Sequence, residues 1–391
     1  MNKKLSLGTV IGLIAIAVAI SSAITMSALK TSYNSILKNL PEKSQRYALL
    51  DELQDIIDEH YYGKDDTENL LSALGEGYIA SLGNSGDRYM TESEYKEYLS
   101  EKNGNMSGVG ADTERVKNTL KIVKVYPDSP AKKAGLREGD IIVAFDGIRL
   151  NKSNFAENSK KLTGDTISSV NIIYKRDKTE RSVTVMKGYE VPSVDSQVYE
   201  SVGYLRITDF FSKTAEDTKA QAEKFVSSGM KAIVIDLREN ESTNYDYMLS
   251  CLDVFVPMND SDNYTFKAAN EKGELIRTAS TTPGEINIPV AILASSKTKG
   301  AAEFFISAMR DFSKAVVFSD SNTAGDVSLK EVFELSGGGA VLLTVGKVQP
   351  YKGESYEIEG IAPDYVYESD TKGTKLSEDS QFLHAVSVVT E

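Results

Sequence analysis

From residue 202 onward the chain alternates between short β-branched runs and amphipathic stretches, and this alternation restricts its fold more than any other feature. Residues 202–208 predict a strand, Thr214 the cap of a helix running to about 228, 231–237 a buried strand, and 244–254 a helix. A strand at 289–294, a helix over 301–312 and a strand at 315–318 continue the pattern. Strands that alternate with helices need crossover connections, which implies a largely parallel sheet and an α/β domain. The stretch 258–285, rich in Asn, Asp, Thr and Ser, interrupts the alternation and reads as a hairpin or loop excursion.

Ahead of this domain the pattern differs. Residues 120–125 alternate, 141–145 are continuously apolar, and 170–174 and 182–186 are β-branched, with one helical stretch at about 154–162. Turn residues punctuate them at Pro127-Asp128-Ser129-Pro130, Gly135, Gly139, Gly147 and Gly164. This is a small β-rich module with its own core. Residues 44–100 read as helical: Leu49, Leu50, Leu53, Ile56, Ile57 and Tyr61 form one apolar stripe, and Leu70, Leu71, Leu74, Tyr78 and Ile79 a second. Thr67 can cap the second helix, and Thr91 with Glu94 makes a capping-box pattern for a third.

Lys3 and Lys4 precede an uncharged, mostly apolar run over 5–29, closed by Lys30. That length exceeds the roughly 20 residues needed to span a bilayer and the apolar core of a cleaved signal. The expectation is a single-pass membrane anchor with a cytoplasmic N-terminus and the bulk of the chain extracytoplasmic. A cleaved signal peptide is the alternative.

Composition then removes whole classes of chemistry. Lys plus Arg is 44 against 57 Asp plus Glu, a formal charge of −13, which argues against nucleic-acid binding. The single cysteine, Cys251, excludes an intramolecular disulfide and Cys-rich metal sites. His60 and His384 have no second ligand at metal spacing, so no metal or cofactor is expected and a Ser–His–Asp triad is nearly excluded. Hydrolytic chemistry would have to run on Ser or Thr with Lys, or on carboxylates. Glu303 and Asp311 lie eight residues apart on one helix, about 12 Å along its axis, too far for most two-carboxylate mechanisms. Capping charge at the helix N-terminus is the better account of Glu303.

Several stretches occur in an order that resembles the bacterial carboxyl-terminal processing, or tail-specific, serine peptidases. Ser107-Gly108-Val109-Gly110 resembles the carboxylate-binding loop of that family's PDZ domain. Asp128-Ser129-Pro130-Ala131, Ala134-Gly135-Leu136 and Gly139-Asp140-Ile141-Ile142 are similar to the PDZ core signature. Gly203-Tyr204-Leu205-Arg206-Ile207, Asp236-Leu237-Arg238 and Gly360-Ile361-Ala362-Pro363-Asp364 resemble motifs of the peptidase domain. The resemblance implies a multidomain α+β and α/β chain. Its expected parts are an anchor over 1–30, a helical segment over 31–104, a PDZ domain over 105–190 and a ClpP/crotonase-like peptidase domain over 191–391.

The PDZ part has a physical reading of its own. Successive amides in a Gly-containing loop can form a nest for a peptide carboxylate, beside which the peptide adds as a strand. Gly108, Val109 and Gly110 are the loop candidates, and Val109 with Leu162 the candidates for the pocket of the last side chain. The helix expected to line this groove is polar for the family, with Asn158 and Ser159 where apolar residues are commoner.

The catalytic pattern of the family is not met. Its nucleophilic serine stands three residues before a helix-opening glutamate, here Glu303, and that count falls on Gly300, which has no side chain to acylate. The base lysine falls at Gly325, no lysine lies between Lys314 and Lys330, and the supporting glutamine falls at Leu329. The oxyanion glycines fall at Ser242 and Thr243. A migrated nucleophile among Ser295, Ser296 and Thr298, beside Lys297 and Lys299, would rescue activity, but neighbouring residues usually point apart. The expected function is therefore a pseudopeptidase that binds peptide or protein C-termini, with homo- or hetero-oligomers of peptidase relatives as partners. The alternative is an active serine-type endopeptidase with its nucleophile in the 295–300 loop, and a third is a structural envelope protein whose PDZ domain binds nothing.

Overall fold

The computed structural model describes Met26 and residues 47–63, 67–84, 86–106, 108–127, 129–162, 168–256, 264–281, 286–352, 354–368 and 375–391. It divides into two units, Met1–Leu71 and Ser72–Glu391. The apolar run at 5–29 lies outside the described residues apart from Met26, and among those described no helix is long and apolar enough to cross a membrane.

In the first unit α1 covers 47–60, and α2 (Thr67–Ala80) begins there. The stripe read from the sequence is present on both helices but stays exposed at Leu49, Leu53 and Ile56 and at Leu70, Leu74 and Tyr78.

In the second unit the helical expectation for 44–100 meets its one correction. β1 (Arg88–Met90) is a strand, paired antiparallel with a later strand, and this pairing overrides local propensity. α3 (Glu92–Lys102) follows with the expected box: the Thr91 side chain accepts the Glu94 N–H, and Glu94 accepts the Thr91 N–H. Then comes the β-rich module, with β2 (Asn105–Met106), β3 (Ala111–Val116), β4 (Thr119–Val125), α4 (Pro130–Lys133), β5 (Ile141–Phe145), β6 (Ile148–Arg149) and α5 (Phe155–Ser159). A 3₁₀ turn (Lys160–Leu162), β7 (Ser168–Arg176), β8 (Thr179–Lys187) and β9 (Tyr189–Glu190) complete it. Its sheet runs β3-β4-β5-β7-β8, with β3 at one edge. Ile122, Phe145, Ile172 and Leu136 fill the core of this module.

The remainder is the α/β domain. Its elements are β10 (Val194–Tyr199), β11 (Val202–Ile207), α6 (Thr214–Ser227), β12 (Ala232–Asp236), α7 (Tyr245–Leu252), β13 (Phe266–Ala269), β14 (Leu275–Ala279), β15 (Val290–Leu293), α8 (Ala301–Asp311) and β16 (Ala315–Ser319). β17 (Ser328–Glu334), β18 (Ala340–Gln349), β19 (Tyr365–Val366) and α9 (Ser380–Thr390) follow. The sheet order is β10-β11-β12-β15-β16-β19, parallel throughout except for β10, as the alternation predicts. The excursion is a hairpin, β13 with β14, and joins β17, β18 and β1 in a second sheet.

Both faces of the parallel sheet are covered. Alternate strand residues Ile233, Ile235 and Ile292 pack under α6, α7 and α8 with Phe304 and Phe305, whereas Val234, Ala291 and Leu293 pack under α9 with Phe382. Thr214 is not the cap of α6: Lys213 holds that position, while the Thr214 hydroxyl accepts the Phe211 N–H at 2.7 Å and bonds to Ser193.

Candidate functional site

The carboxyl ends of β12, β15 and β16, together with the N-terminus of α8, gather the residues that the sequence marks as the catalytic region. Ligands bind at this end of open α/β sheets. Gly300 is the residue preceding α8, with φ +61° and ψ −114°, a conformation that an L side chain rarely adopts. The Ser242 carbonyl oxygen accepts the Ala301 N–H at 2.7 Å and would lie 2.7 Å from a β-carbon on Gly300. An acceptor oxygen therefore faces the position to which the resemblance assigns a nucleophile. It has the wrong polarity for stabilising an oxyanion, which needs donors.

The 238–244 loop is braced from within. Asn240 donates through Nδ2 to the Ile207 carbonyl at 3.1 Å and accepts the Ser242 N–H at 3.0 Å, and its own carbonyl accepts the Lys299 N–H. The Ser242 hydroxyl accepts the Asn244 N–H at 3.2 Å and hydrogen-bonds the Asp209 carboxylate, whose protonation burial favours. Ser242 is buried, and Thr243 lies at the edge of a separate cavity with Tyr245 and Tyr98.

Gly325 is held by Glu303. The buried Glu303 carboxylate accepts the Gly325 N–H at 2.6 Å, the Asp326 N–H at 2.9 Å, the Thr323 hydroxyl at 2.5 Å and the Gly300 N–H at 3.0 Å. Burial pushes its carboxyl above the ordinary range, and the four donors pull against that shift. The capping expectation for Glu303 holds, and the residue does more: it ties together Gly300 and Gly325, the two positions to which the resemblance assigns a nucleophile and a base. Gly325 has φ +81°, and a β-carbon there would stand 2.7 Å from the Ile358 backbone. The Thr323 hydroxyl also accepts the Ile361 N–H at 2.8 Å. Gly360 must be a glycine at this contact, because a β-carbon would approach the Thr323 carbonyl to 2.1 Å. The Gly-Ile-x-Pro-Asp motif thus packs against the same cluster.

The candidate replacement nucleophiles have other duties. Thr298 is fully buried; its hydroxyl donates to the Leu237 carbonyl at 2.9 Å and accepts the Ser295 N–H at 3.0 Å. The Ser295 hydroxyl donates to the Arg238 carbonyl at 2.5 Å. Ser296 is exposed at the rim of a polar cavity of about 680 Å³ whose lining also includes the buried Asp236 and Asp379 with Arg238. Lys297 pairs with Glu239 at 3.1 Å and Lys299 with Asp326 at 3.5 Å, so each candidate base is engaged by a carboxylate. Arg238, set between Asp236 and Asp379, holds Asp236 below the usual carboxylate range against the opposing effect of burial.

The structure brings Gly108, Val109, Gly110 and Leu162 together at one end of the module. Gly108 and Gly110 adopt φ +79° and +74°, and a β-carbon on Gly110 would meet the Ser129 side chain at 2.3 Å. The Val109 N–H donates to the Leu162 carbonyl at 3.0 Å, and both side chains sit in the module core. Asn158 turns its amide back onto its own helix, donating to the Asn154 carbonyl at 3.0 Å. On the same module Arg115 of β3 lies 4.0 Å above the Phe155 ring of α5. The sequence singled out neither residue, nor Asp209 nor Thr323. A basic residue in an alternating strand carries no local signal of what it faces, and the partners of Asp209 and Thr323 are remote in sequence.

His60 stands exposed at the end of α1, His384 stacks on Tyr367 with ring centres 4.6 Å apart, and among the described residues no cluster could hold a metal ion.

A doubly covered parallel sheet joined to a small PDZ-like β-module defines the class, a PDZ-bearing peptidase scaffold. Residues 201–367 match the model of peptidase family S41 and residues 107–186 that of the PDZ domain. It is 27% identical over 352 residues to a probable CtpA-like serine protease of Staphylococcus haemolyticus, covering 89% of this chain and 70% of that one. It is 25% identical over 346 residues to the corresponding protein of Staphylococcus aureus, covering 85% and 69%. The photosystem II D1 C-terminal processing protease superposes with a TM-score of 0.51 at 19% identity, over 87% of this chain and 90% of that one, which establishes the shared fold.

Proposed function

We propose that this chain is a membrane-anchored, extracytoplasmic pseudopeptidase that uses its PDZ domain to bind peptide or protein C-termini. The carrying observation is the Ser242 carbonyl, which receives the Ala301 amide beside Gly300, where the family's mechanism needs a hydroxyl and oxyanion donors. A Ser–Lys mechanism requires a desolvated neutral amine next to the nucleophile. Here Gly325 offers a backbone N–H to Glu303 and no amine. Binding is supported by the edge position of β3 beside the Gly108–Gly110 loop, since an extended peptide adds to such an edge. The uncharged run at 5–29 supports anchoring. The exposed apolar stripes of α1 and α2 support self-association or pairing with a peptidase relative.

Isothermal titration of the chain with apolar-ended peptides, as free acids and as amides, tests binding. Heat with the free acid alone is the expected result; no heat with either form would leave a structural envelope role. The competing reading, an active endopeptidase using the 295–300 loop, requires Ser296, the exposed hydroxyl there, to find a base other than the ion-paired Lys297.

A further inference from the structure

The groove between β3 and α5 carries a charge that the proposed binding role leaves unassigned. β3 is an edge strand whose only sheet partner among the described residues is β4. Its alternation turns Asp112 and Glu114 to one side, where they meet the Tyr126 hydroxyl at 2.9 Å and Lys121 at 3.3 Å. Ala111, Thr113 and Arg115 share the opposite side, and there the Arg115 guanidinium covers the Phe155 ring of α5 at 4.0 Å. Phe155 is buried, whereas Arg115 is exposed. Arg115 Nε donates to the Lys117 carbonyl at 2.9 Å, which fixes the near edge of the guanidinium. Among the described residues no carboxylate pairs with it, not even Glu157 of the facing helix. Acids on the outer side are thus engaged, and the groove side presents a positioned cation stacked on an aromatic ring. Such a stacked guanidinium is held in place at little entropic cost and keeps its outer edge for a carboxylate.

The direction of a bound peptide follows from the fold. Its terminal carboxylate would lie at the 108–110 loop, which precedes β3, so the peptide must run antiparallel to that strand. With the last residue opposite Ala111, the third from the end lies opposite Thr113 and the fifth opposite Arg115, all on one face. We infer that Arg115 makes this PDZ groove select C-termini carrying an acidic residue at the fifth position from the carboxyl end, the third being a weaker diagonal neighbour. This inference rests on the peptide-binding reading above and specifies its ligand class.

Fluorescence polarisation with the full chain tests it. The probes are short Gly/Ser peptides ending in a free-acid valine, with Asp, Ser or Lys at the fifth position, and an amidated Asp peptide as control. The Asp peptide is expected to bind about fivefold more tightly than the Lys peptide at low salt, the ratio shrinking as salt rises. Arg115→Glu should invert the order, and Arg115→Ala should level it. Equal affinities for Asp and Lys peptides that both outbind the amide would overturn the inference while leaving C-terminal binding standing. Failure of every free-acid peptide to bind would remove the binding reading, and the inference with it.

Discussion

The carbonyl oxygen of Ser242 accepts the Ala301 amide at 2.7 Å, in the space that a side chain on Gly300 would need. A hydroxyl-bearing side chain placed at residue 300 therefore meets a backbone obstacle. Gly300→Ser should cost about 1–3 kcal/mol, because it places an L side chain at φ +61° against that carbonyl. Urea unfolding would measure the loss. Intact mass after treatment with a fluorophosphonate should show no adduct, and an adduct on residue 300 would mean that the loop retains the geometry of a working nucleophile.

Thr298 is structural in this account. Its hydroxyl donates to the Leu237 carbonyl and accepts the Ser295 amide, both inside the protein. Thr298→Val leaves those groups unpaired, at a cost of about 1–3 kcal/mol in chemical denaturation. Peptide affinity should stay at its wild-type value, and a selective loss of binding or activity with unchanged stability would assign Thr298 to a site.

The Arg238 ion pairs give a pH signature. Burial opposes ionisation of Asp236, but Arg238 and Tyr204 outweigh it and hold the carboxyl below 3.8. A lowered carboxyl contributes stability that is present above pH 3.8 and lost as the pH falls through its folded value. Asp236→Asn should therefore lose about 3 kcal/mol near neutral pH, with the gap to wild type closing in strong acid. A gap that stays constant from pH 7 to pH 2 in denaturant titrations would contradict the pairing.

Cys251 lies fully inside the core, its thiol hydrogen-bonded to Thr218, and burial pushes it up to about 12. Disulfide reagents should leave the native chain untouched at pH 8 and titrate one thiol only in denaturant. Stoichiometric reaction of the folded chain within minutes would show that α7 opens readily.

Much of the fold is legible in the sequence because periodicity and burial agree there. The strands at 232–236, 290–293 and 315–319 are apolar runs bounded by helices with clear stripes, and they form the parallel centre of the sheet. The 88–90 strand is not legible: three residues that continue a helical neighbourhood become a strand only because Ala340 to Leu342 lies opposite them. The β17–β18 hairpin and α9 likewise carry no strong local pattern, although Phe382 of α9 is a central core residue.

The site divides along the same line. Gly300, Gly325, Ser242 and Thr243 can be counted off from motifs. What binds them together cannot, because Glu303 reaches Thr323, Gly325 and Asp326 across 20 to 23 positions of chain and Ser242 reaches Ala301 across nearly sixty. Val109 and Leu162 are near one another as expected, yet their backbone groups bond to each other and their side chains fill the core. The groove's distinguishing contact, Arg115 on Phe155, is a tertiary one.

The most direct test of the pseudopeptidase account is mass spectrometry of an unstructured free-acid polypeptide incubated with the purified chain, alongside the Ser296→Ala variant. The account predicts intact substrate with both proteins, even at concentrations where binding is saturated. Cleavage by the wild-type chain that disappears with Ser296→Ala would contradict it and identify a working nucleophile in the 295–300 loop.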